Sequence, residues 1–141
     1  MKLAELIKGR HDVFKVREGS KVAAAANTMT ERKIGALLVE NDAGEITGIL
    51  SERDIVRGMG PHGADLHDVA VSELMTRDLI RCSSNDTVNE AMAMMTDRRI
   101  RHLPVFDDDE LVGFISIGDL VKCRIMEVQS EAEALRQYIL S

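Results

Sequence analysis

The sequence predicts a mixed α/β (α+β) fold made of two tandem copies of one β-α-β-β-α unit. The first observation behind this is a repeat: residues 13–57 and 79–122 share one pattern, with Val22 and Val88 at equivalent positions 66 residues apart. Two further observations hold in each copy: an apolar stripe at helical spacing, and two short apolar runs that follow it. A repeat of this length is a duplicated supersecondary unit, so any binding site is expected as a pair.

Size and charge limit the classes of protein to consider. One copy of about 60 residues would bury only about 60% of its unfolded surface, so we expect both copies to pack as one pseudo-two-fold module. The net charge of −6 argues against nucleic-acid or membrane-surface binding, which need a basic face. The predicted divisions are residues 1–60 (first repeat with an N-terminal helix), 61–78 (linker), 79–125 (second repeat) and 126–141 (C-terminal helical extension).

The first half of each copy reads as a strand followed by a helix. Lys2–Lys8 predicts a short amphipathic helix ended by Gly9, and Val13–Val16 predicts a strand. Ser20 is then expected to cap a helix, with its counterpart at Asp86 in the second copy. The buried stripes of these two helices comprise Val22, Ala25, Ala26 and Met29, and Val88, Ala91, Met92 and Met95.

The second half of each copy predicts a strand hairpin and a second helix. The strands are Gly35–Val39 and Ile46–Leu50 in the first copy, and Leu103–Phe106 and Leu111–Ile115 in the second. Gly48 and Gly113 in the return strands predict a bulge or a close backbone approach. Helices are expected to start at Ser51 and Ser116.

Three further segments lie outside the repeated pattern. Residues 58–68 predict a Gly-rich loop, whose His and Asp residues lack a metal-ligand spacing, and Val71–Met75 predicts a short helix. After Asp119 a helix continues nearly to the C-terminus, with an apolar seam that suggests a partner chain. Cys82 and Cys123 are expected to be small buried hydrophobes in a protein of the reducing cytoplasm.

A Gly-x-x-Ser-x-x-Asp motif closes each copy, with Ser51 and Asp54 in the first and Ser116 and Asp119 in the second. One interpretation is a capping-box variant, in which the serine and the acid only stabilise the helix start. The other is a ligand site, because unpaired amides at a helix start can bind phosphate and a carboxylate can accept two ribose hydroxyls. Both interpretations stay open at this point.

Together with Val71–Thr76 and Ile100–Val105, these motifs resemble the cystathionine-β-synthase-type (CBS) domain family. Over about residues 5–125 the chain looks like a stand-alone CBS pair, also called a Bateman module. The resemblance implies binding of AMP, ADP, ATP, NAD or S-adenosylmethionine in the cleft between the repeats. It also implies a regulatory module and not an enzyme.

The resemblance carries candidate site residues onto this sequence. One predicted site combines Ser51, Arg53 and Asp54 with the backbone of Leu79 and Ile80, and the other combines Ser116, Gly118 and Asp119 with the backbone of Val13 and Phe14. Gly35, Ala36, Arg101 and His102 are expected at the strand starts that line the cleft. Arg53 in one copy and Arg101 with His102 in the other predict clefts of different preference for phosphate.

The leading hypothesis is therefore a non-catalytic, homodimeric adenine-nucleotide sensor with no required metal. The alternative is an assembly adaptor that keeps the fold, binds no ligand and serves a partner protein. An enzyme is the third class, although no nucleophile elbow, Walker loop or metal motif supports it.

Overall fold

The computed structural model describes residues 1–8 and 13–141, so the predicted helix end at Gly9 lies outside the described residues. Two compact units result: residues 13–79 form one, and residues 1–8 with 80–141 form the other. The elements are α1 (Leu3–Ile7), β1 (Lys15–Arg17), α2 (Val22–Arg32), β2 (Ala36–Glu40), β3 (Ile46–Ser51), α3 (Glu52–His62), a 3₁₀ helix (Gly63–Asp68), α4 (Val71–Leu74), α5 (Val88–Arg98), β4 (His102–Asp107), β5 (Glu110–Ser116) and α6 (Ile117–Leu140).

The unit of residues 13–79 is built around a three-stranded sheet of order β1-β2-β3. β1 is parallel to β2, and β2 is antiparallel to β3. The predicted stripe of α2 is confirmed at Val22, Ala25 and Met29, which are all buried. Leu37 and Leu50, both fully buried, complete the core of this unit beneath the helix. The apolar runs of the sequence thus became the buried strands that were expected.

The second unit repeats this architecture without a full first strand. Its sheet contains only β4 and β5, and the position of the first strand is a single parallel bridge between Cys82 and Val105. Directly after that bridge, Asp107 accepts hydrogen bonds from Ser83 Oγ (3.2 Å) and from the Ser84 amide (3.1 Å), which turn the chain away from β4. The mixed fold and its duplication are confirmed, but the strand predicted at the start of the second copy is not formed.

The two short helices are exchanged between the repeats. Sequence order places α1 with the first repeat, yet it packs on the second: the Leu3 amide donates to Asp86 O (2.9 Å), and Leu3 is fully buried. α4 precedes the second repeat but packs on the first, where the Val71 amide donates to Ser20 O (2.8 Å). Each repeat is therefore completed by a helix from the segment that precedes the other repeat.

This exchange also explains why the predicted cap at Ser20 is wrong. Lys21 occupies the N-cap position of α2 and makes no side-chain cap. The Val22 amide, the first of the helix, donates instead to Val69 O (2.9 Å), just before α4. A backbone acceptor from another segment has replaced the side chain that the local sequence offered.

The cap of α5 lies one residue later than predicted. Thr87, and not Asp86, is the N-cap, and its hydroxyl accepts from the Glu90 amide at 3.1 Å. The Asp86 carboxylate accepts from the Ser83 amide (2.8 Å) and so closes the preceding turn.

Residues 58–68, predicted as a loop, are helical. α3 continues to His62 and a 3₁₀ helix follows to Asp68. Gly58 is buried, and a Cβ there would lie 2.8 Å from Leu74 Cδ2, so this glycine permits helix packing. Pro61 lies in the last turn of α3, where it removes the hydrogen bond that an amide at this position would donate to the Arg57 carbonyl, and the helix nevertheless continues to His62.

Both return-strand glycines are sites of close approach, as predicted. A Cβ on Gly48 would lie 2.8 Å from the backbone oxygen of Thr76, and one on Gly113 would lie 2.9 Å from Ile7 Cγ2. The register also shifts beside each, between Val39 and Glu40 and between Val105 and Phe106. These glycines let the exchanged short segments lie against the hairpins.

The two cysteines are buried and free, as predicted. Burial, with the nearby acids Asp86 and Asp107, raises the pKa of the Cys82 thiol to about 12. Burial also raises the pKa of the Cys123 thiol. Both therefore serve as small core side chains and stay protonated near neutral pH.

We predict that Gly48→Ala lowers the free energy of unfolding by about 1–3 kcal/mol, because its Cβ would collide with backbone that cannot move freely. Gly19→Ala is the matched control, since a Cβ there has nothing within 4 Å. Urea denaturation followed by circular dichroism measures both. Equal stability of the two variants would contradict the close approach at Gly48.

Candidate functional site

Ser51 and Asp54 form a complete capping box at the junction of β3 and α3. Asp54 Oδ2 accepts from the Ser51 amide (2.9 Å) and from Ser51 Oγ (3.1 Å). Ser51 Oγ in turn accepts from the Asp54 amide at 3.3 Å. Asp54 is only 7% exposed, so these bonds hold its carboxylate in one orientation.

A third residue, Thr76, contacts the Asp54 carboxylate. Thr76 Oγ1 donates to Asp54 Oδ1 at 3.1 Å, while the Thr76 side chain remains exposed on its other side. The Thr76 backbone pairs with Ile49 through two hydrogen bonds of 2.8 and 3.0 Å. Thr76 ends the Val71–Thr76 motif, but its contact with Asp54 has no signal in the sequence, because no spacing rule connects residue 76 with residue 54.

Ser116 and Asp119 repeat the capping box at the junction of β5 and α6. The Ser116 amide donates to Asp119 Oδ2 (2.9 Å), and the Asp119 amide donates to Ser116 Oγ (3.2 Å). Here the acid is half-buried, in contrast to the buried Asp54. Two equivalent bridges align the repeats: Lys21 pairs with Ala70 in the first, and Thr87 pairs with Lys2 in the second. Thr76 follows Ala70 by six residues and Lys8 follows Lys2 by six residues, so Lys8 occupies the position equivalent to Thr76. The second junction thus keeps the Ser–Asp pair but has a cationic residue at the threonine position.

The strand starts reinforce both helix starts. The Glu52 amide donates to Gly35 O (3.0 Å), and the Ile117 amide donates to Arg101 O (2.8 Å). The expectation that these junctions leave amides unpaired for phosphate is therefore wrong for three amides at each junction. Their partners are the capping serine, the acid and the carbonyl of Gly35 or Arg101, which lies just before β2 or β4. A ligand phosphate would have to be held mainly by side chains.

Register places the other candidate residues beside the capping serines. Ala36 is the Cα partner of Ser51 across the β2–β3 pair, and His102 is the Cα partner of Ser116 across β4–β5. The His102 ring also stacks on Phe114, with centroids 5.6 Å apart. Ala36 is buried and His102 half-buried, so only the second junction presents an imidazole next to its serine.

The three remaining positions of the strand starts and helix starts are all exposed. Arg53 and Arg101 are exposed cations, one in each unit, and Gly118 is exposed at the position that corresponds to Arg53. The structure thus gathers Gly35, Ala36, Ser51, Arg53 and Asp54 at one junction, and Arg101, His102, Ser116, Gly118 and Asp119 at the other.

The four predicted backbone positions lie at the beginnings of the repeats. Val13 and Phe14 precede β1, and Phe14 O accepts from the Leu38 amide at 3.3 Å. Leu79 is the last residue of its unit, and Ile80 begins the second stretch of the other unit, where it packs on the core. The pairing of each acid with the other repeat's first strand stays a prediction.

Chemically, each junction offers a positioned carboxylate, a hydroxyl and one or two cationic or imidazole side chains. This set can accept hydrogen bonds from sugar hydroxyls and attract phosphate. Among residues 1–8 and 13–141, no group of three His, Cys, Asp or Glu side chains is arranged to hold a metal ion.

We predict that Asp54→Ala lowers the free energy of unfolding by about 2–4 kcal/mol, because it removes the cap of α3 and leaves the donors of Ser51 and Thr76 without their acceptor. Thr76→Val, which removes one donor, should cost about 1 kcal/mol. Asp97→Ala, at an exposed position of α5, is the control and should change stability by less than about 0.5 kcal/mol. Denaturant titration of the three variants measures these changes in the free energy of unfolding. An Asp54→Ala protein as stable as the control would disprove the capping role.

Comparison with known proteins gives the family. The family model of the CBS domain matches residues 4–60 and 71–125. A mitochondrial CBS-domain protein of Arabidopsis thaliana, CBSX3, is 36% identical over 119 residues, which are 82% of this chain and 58% of that protein's length.

Solved structures agree with this family at the level of the fold. The crystal structure of a CBS-domain protein from Agrobacterium tumefaciens, ATU1752, is 38% identical with a TM-score of 0.84, covering 87% of this chain and 92% of that one. The CBS domain pair of protein MJ0100, solved with 5′-methylthioadenosine and S-adenosyl-L-methionine, is 19% identical with a TM-score of 0.78, covering 90% and 98%. No helix among the described residues combines the length and apolar character needed to cross a bilayer. The chain belongs to the CBS domain family and contains a tandem pair of its repeats.

Proposed function

We propose that this CBS pair is a non-catalytic sensor that binds an adenosine-containing ligand (AMP, ADP, ATP, NAD or S-adenosylmethionine) at its two Ser–Asp junctions. The observation that carries the proposal is the duplicated, oriented carboxylate at a helix start, held by its own serine in each repeat. Support also comes from MJ0100, a CBS pair solved with two adenosine compounds.

Ribose binds at Asp54 by exchange of hydroxyl groups. An ionised carboxylate accepts about four hydrogen bonds, and three donors already contact Asp54. Two of these donors are the hydroxyls of Ser51 and Thr76, which can rotate to other acceptors. A ribose diol can take their places with little net cost, because one hydroxyl donor replaces another. The Ser51 amide keeps its bond, so the carboxylate stays oriented.

This exchange supplies a signal within the first repeat. Release of the Thr76 hydroxyl removes one of the contacts that hold the segment after α4 against Asp54 and β3. A ligand can shift a protein between two arrangements only by binding one of them more tightly. Ribose binds more tightly to the arrangement in which Thr76 has released Asp54 Oδ1. The residues after α4, which include Thr76, lead directly into the second repeat.

The two junctions differ in how they hold phosphate. Arg53 supplies a forked cation in the first repeat, whereas Arg101 and His102 supply a cation and an imidazole in the second. Because most helix-start amides are already paired, these side chains provide most of the attraction. The two sites therefore have different affinities for ligands of different phosphate content.

Isothermal titration of the full chain with AMP, ADP, ATP, NAD and S-adenosylmethionine tests the proposal. Charge-assisted hydrogen bonds of about 1.5–3 kcal/mol predict that Asp54→Asn or Asp119→Asn weakens one site by about 10- to 150-fold. Asn keeps the size of the side chain, and Asp97→Asn is the exposed control with unchanged affinity. Unchanged binding in the double Asn variant would refute the carboxylate role.

Thr76→Val tests the exchange itself. Removal of the competing hydroxyl should leave the affinity of the first site equal or raise it by up to about 5-fold, since roughly 1 kcal/mol of hydrogen bonding is no longer displaced. A clear loss of affinity would show that Thr76 binds the ligand directly and would contradict the exchange.

An assembly adaptor is the second candidate, favoured by the exposed apolar side chains of α6. It predicts that millimolar nucleotide changes neither the melting temperature nor the titration heat. The absence of any product after overnight incubation with ATP separates both candidates from a hydrolase.

A cytoplasmic location is likewise a proposal, since the Arabidopsis relative is named as mitochondrial.

A further inference from the structure

The C-terminal helix α6 presents an apolar face that its own unit does not cover. Leu120 and Cys123 are the buried residues of this 24-residue helix, and they dock it on its unit. A different set of apolar side chains lies on another face and is 40% to 71% exposed. These are Val121, Ile125, Val128, Leu135 and Ile139, and exposed Ala132 lies in the same row.

Their spacing is that of a heptad repeat. From Val121 to Ile139 the steps alternate between four and three residues. Ile125, Ala132 and Ile139 then occupy the a positions, and Val121, Val128 and Leu135 the d positions of a coiled coil. Leu120 and Cys123 fall at c and f, on the opposite side of the helix. The docked face and the heptad face are therefore separate.

The exposed end of α6 has little packing on its own unit to stabilise it. Residues 129–141 are all exposed, and an isolated helix of about a dozen residues is marginal in water. Residues 117–127 are already fixed by the unit, which removes the cost of starting the helix. A short seam of under three heptads can then associate more readily than a free peptide of the same length.

The charges at the e and g positions, which flank the seam, favour a second copy of this chain as the partner and a parallel direction of the two helices. Glu131 occupies a g position and Arg136 the following e position. In a parallel pair of identical helices, Glu131 of each copy faces Arg136 of the other, which gives two attractive contacts. An antiparallel pair aligned about its middle would instead bring Lys122 near Arg136, both cations. The Leu135–Ile139 pair matches the pattern of Leu at d with Ile at a that favours two parallel strands, whereas Val121 and Val128 at the other d positions do not add to it.

We propose that residues 121–140 form a parallel, in-register two-stranded coiled coil with a second copy of this chain. The seam consists of the a and d side chains, and the Glu131–Arg136 pairs fix its register. The proposal does not depend on nucleotide binding, because none of its residues belongs to either Ser–Asp junction.

Sedimentation equilibrium of the full chain, over a concentration series, measures the assembly. Leu135→Glu places a carboxylate in the seam and should raise the dimer dissociation constant by roughly 100-fold or more, halving the mass. Gln137→Glu adds the same charge at the outer f position and should leave the mass unchanged. A monomeric wild-type chain, or a Leu135→Glu variant as associated as the wild type, would overturn the coiled coil.

Charge reversal tests the direction of the helices. Glu131→Arg alone and Arg136→Glu alone should each weaken association by about 3- to 10-fold, because like charges then face each other. The double variant should restore the wild-type constant. Two single variants without effect, or a double variant weaker than either, would overturn the parallel register. Circular dichroism of every variant verifies that the monomer fold is retained.

Discussion

The bond between each capping serine and its acid is the interaction on which the candidate site depends. It ends a strand, starts a helix and orients a carboxylate within four residues, and it does so at equivalent places in both repeats. Without the Ser51–Asp54 pair, a carboxylate that is only 7% exposed would lose two of the three donors that compensate for its lost hydration. The same geometry therefore serves stability and makes the acid available in a fixed direction.

In the proposed function, stability and ligand binding use the same oxygen atoms of Asp54. The carboxylate already accepts from three donors, two of them the hydroxyls of Ser51 and Thr76, so a ribose diol bound there would have to replace at least one protein hydroxyl. Binding and local rearrangement would then be a single event in the first repeat. The second repeat has Lys8 at the position equivalent to Thr76, so duplication has left two related sites with different local contacts.

Local patterns in the sequence predicted the parts of the fold that depend on local physics. The stripe at Val22 and Val88, the hairpins, and the capping boxes follow from periodicity and helix-start chemistry, and they are confirmed. Gly48 and Gly113 also behave as expected, because a missing side chain usually marks a close approach. The cap of α5, however, is Thr87 and not Asp86, because the Asp86 carboxylate closes the preceding turn.

What the sequence could not predict depends on contacts between distant segments. Ser20 does not cap α2 because the Val69 carbonyl accepts the first amide, and Thr76 reaches Asp54 across 22 positions. The exchange of α1 and α4 between repeats has no local signature either. Gly and Pro at 58–68 suggested a loop, although Gly58 is needed for helix packing and α3 continues through Pro61 to His62.

A crystal structure of the full chain with AMP would show whether ribose binds at the two acids. We expect ribose hydroxyls within hydrogen-bond distance of the Asp54 or Asp119 carboxylate, with the capping amide still bonded to the acid. At Asp54, the Thr76 hydroxyl should have turned to another acceptor. AMP bound away from both acids, with the contacts of Ser51 and Thr76 to Asp54 unchanged, would contradict this expectation.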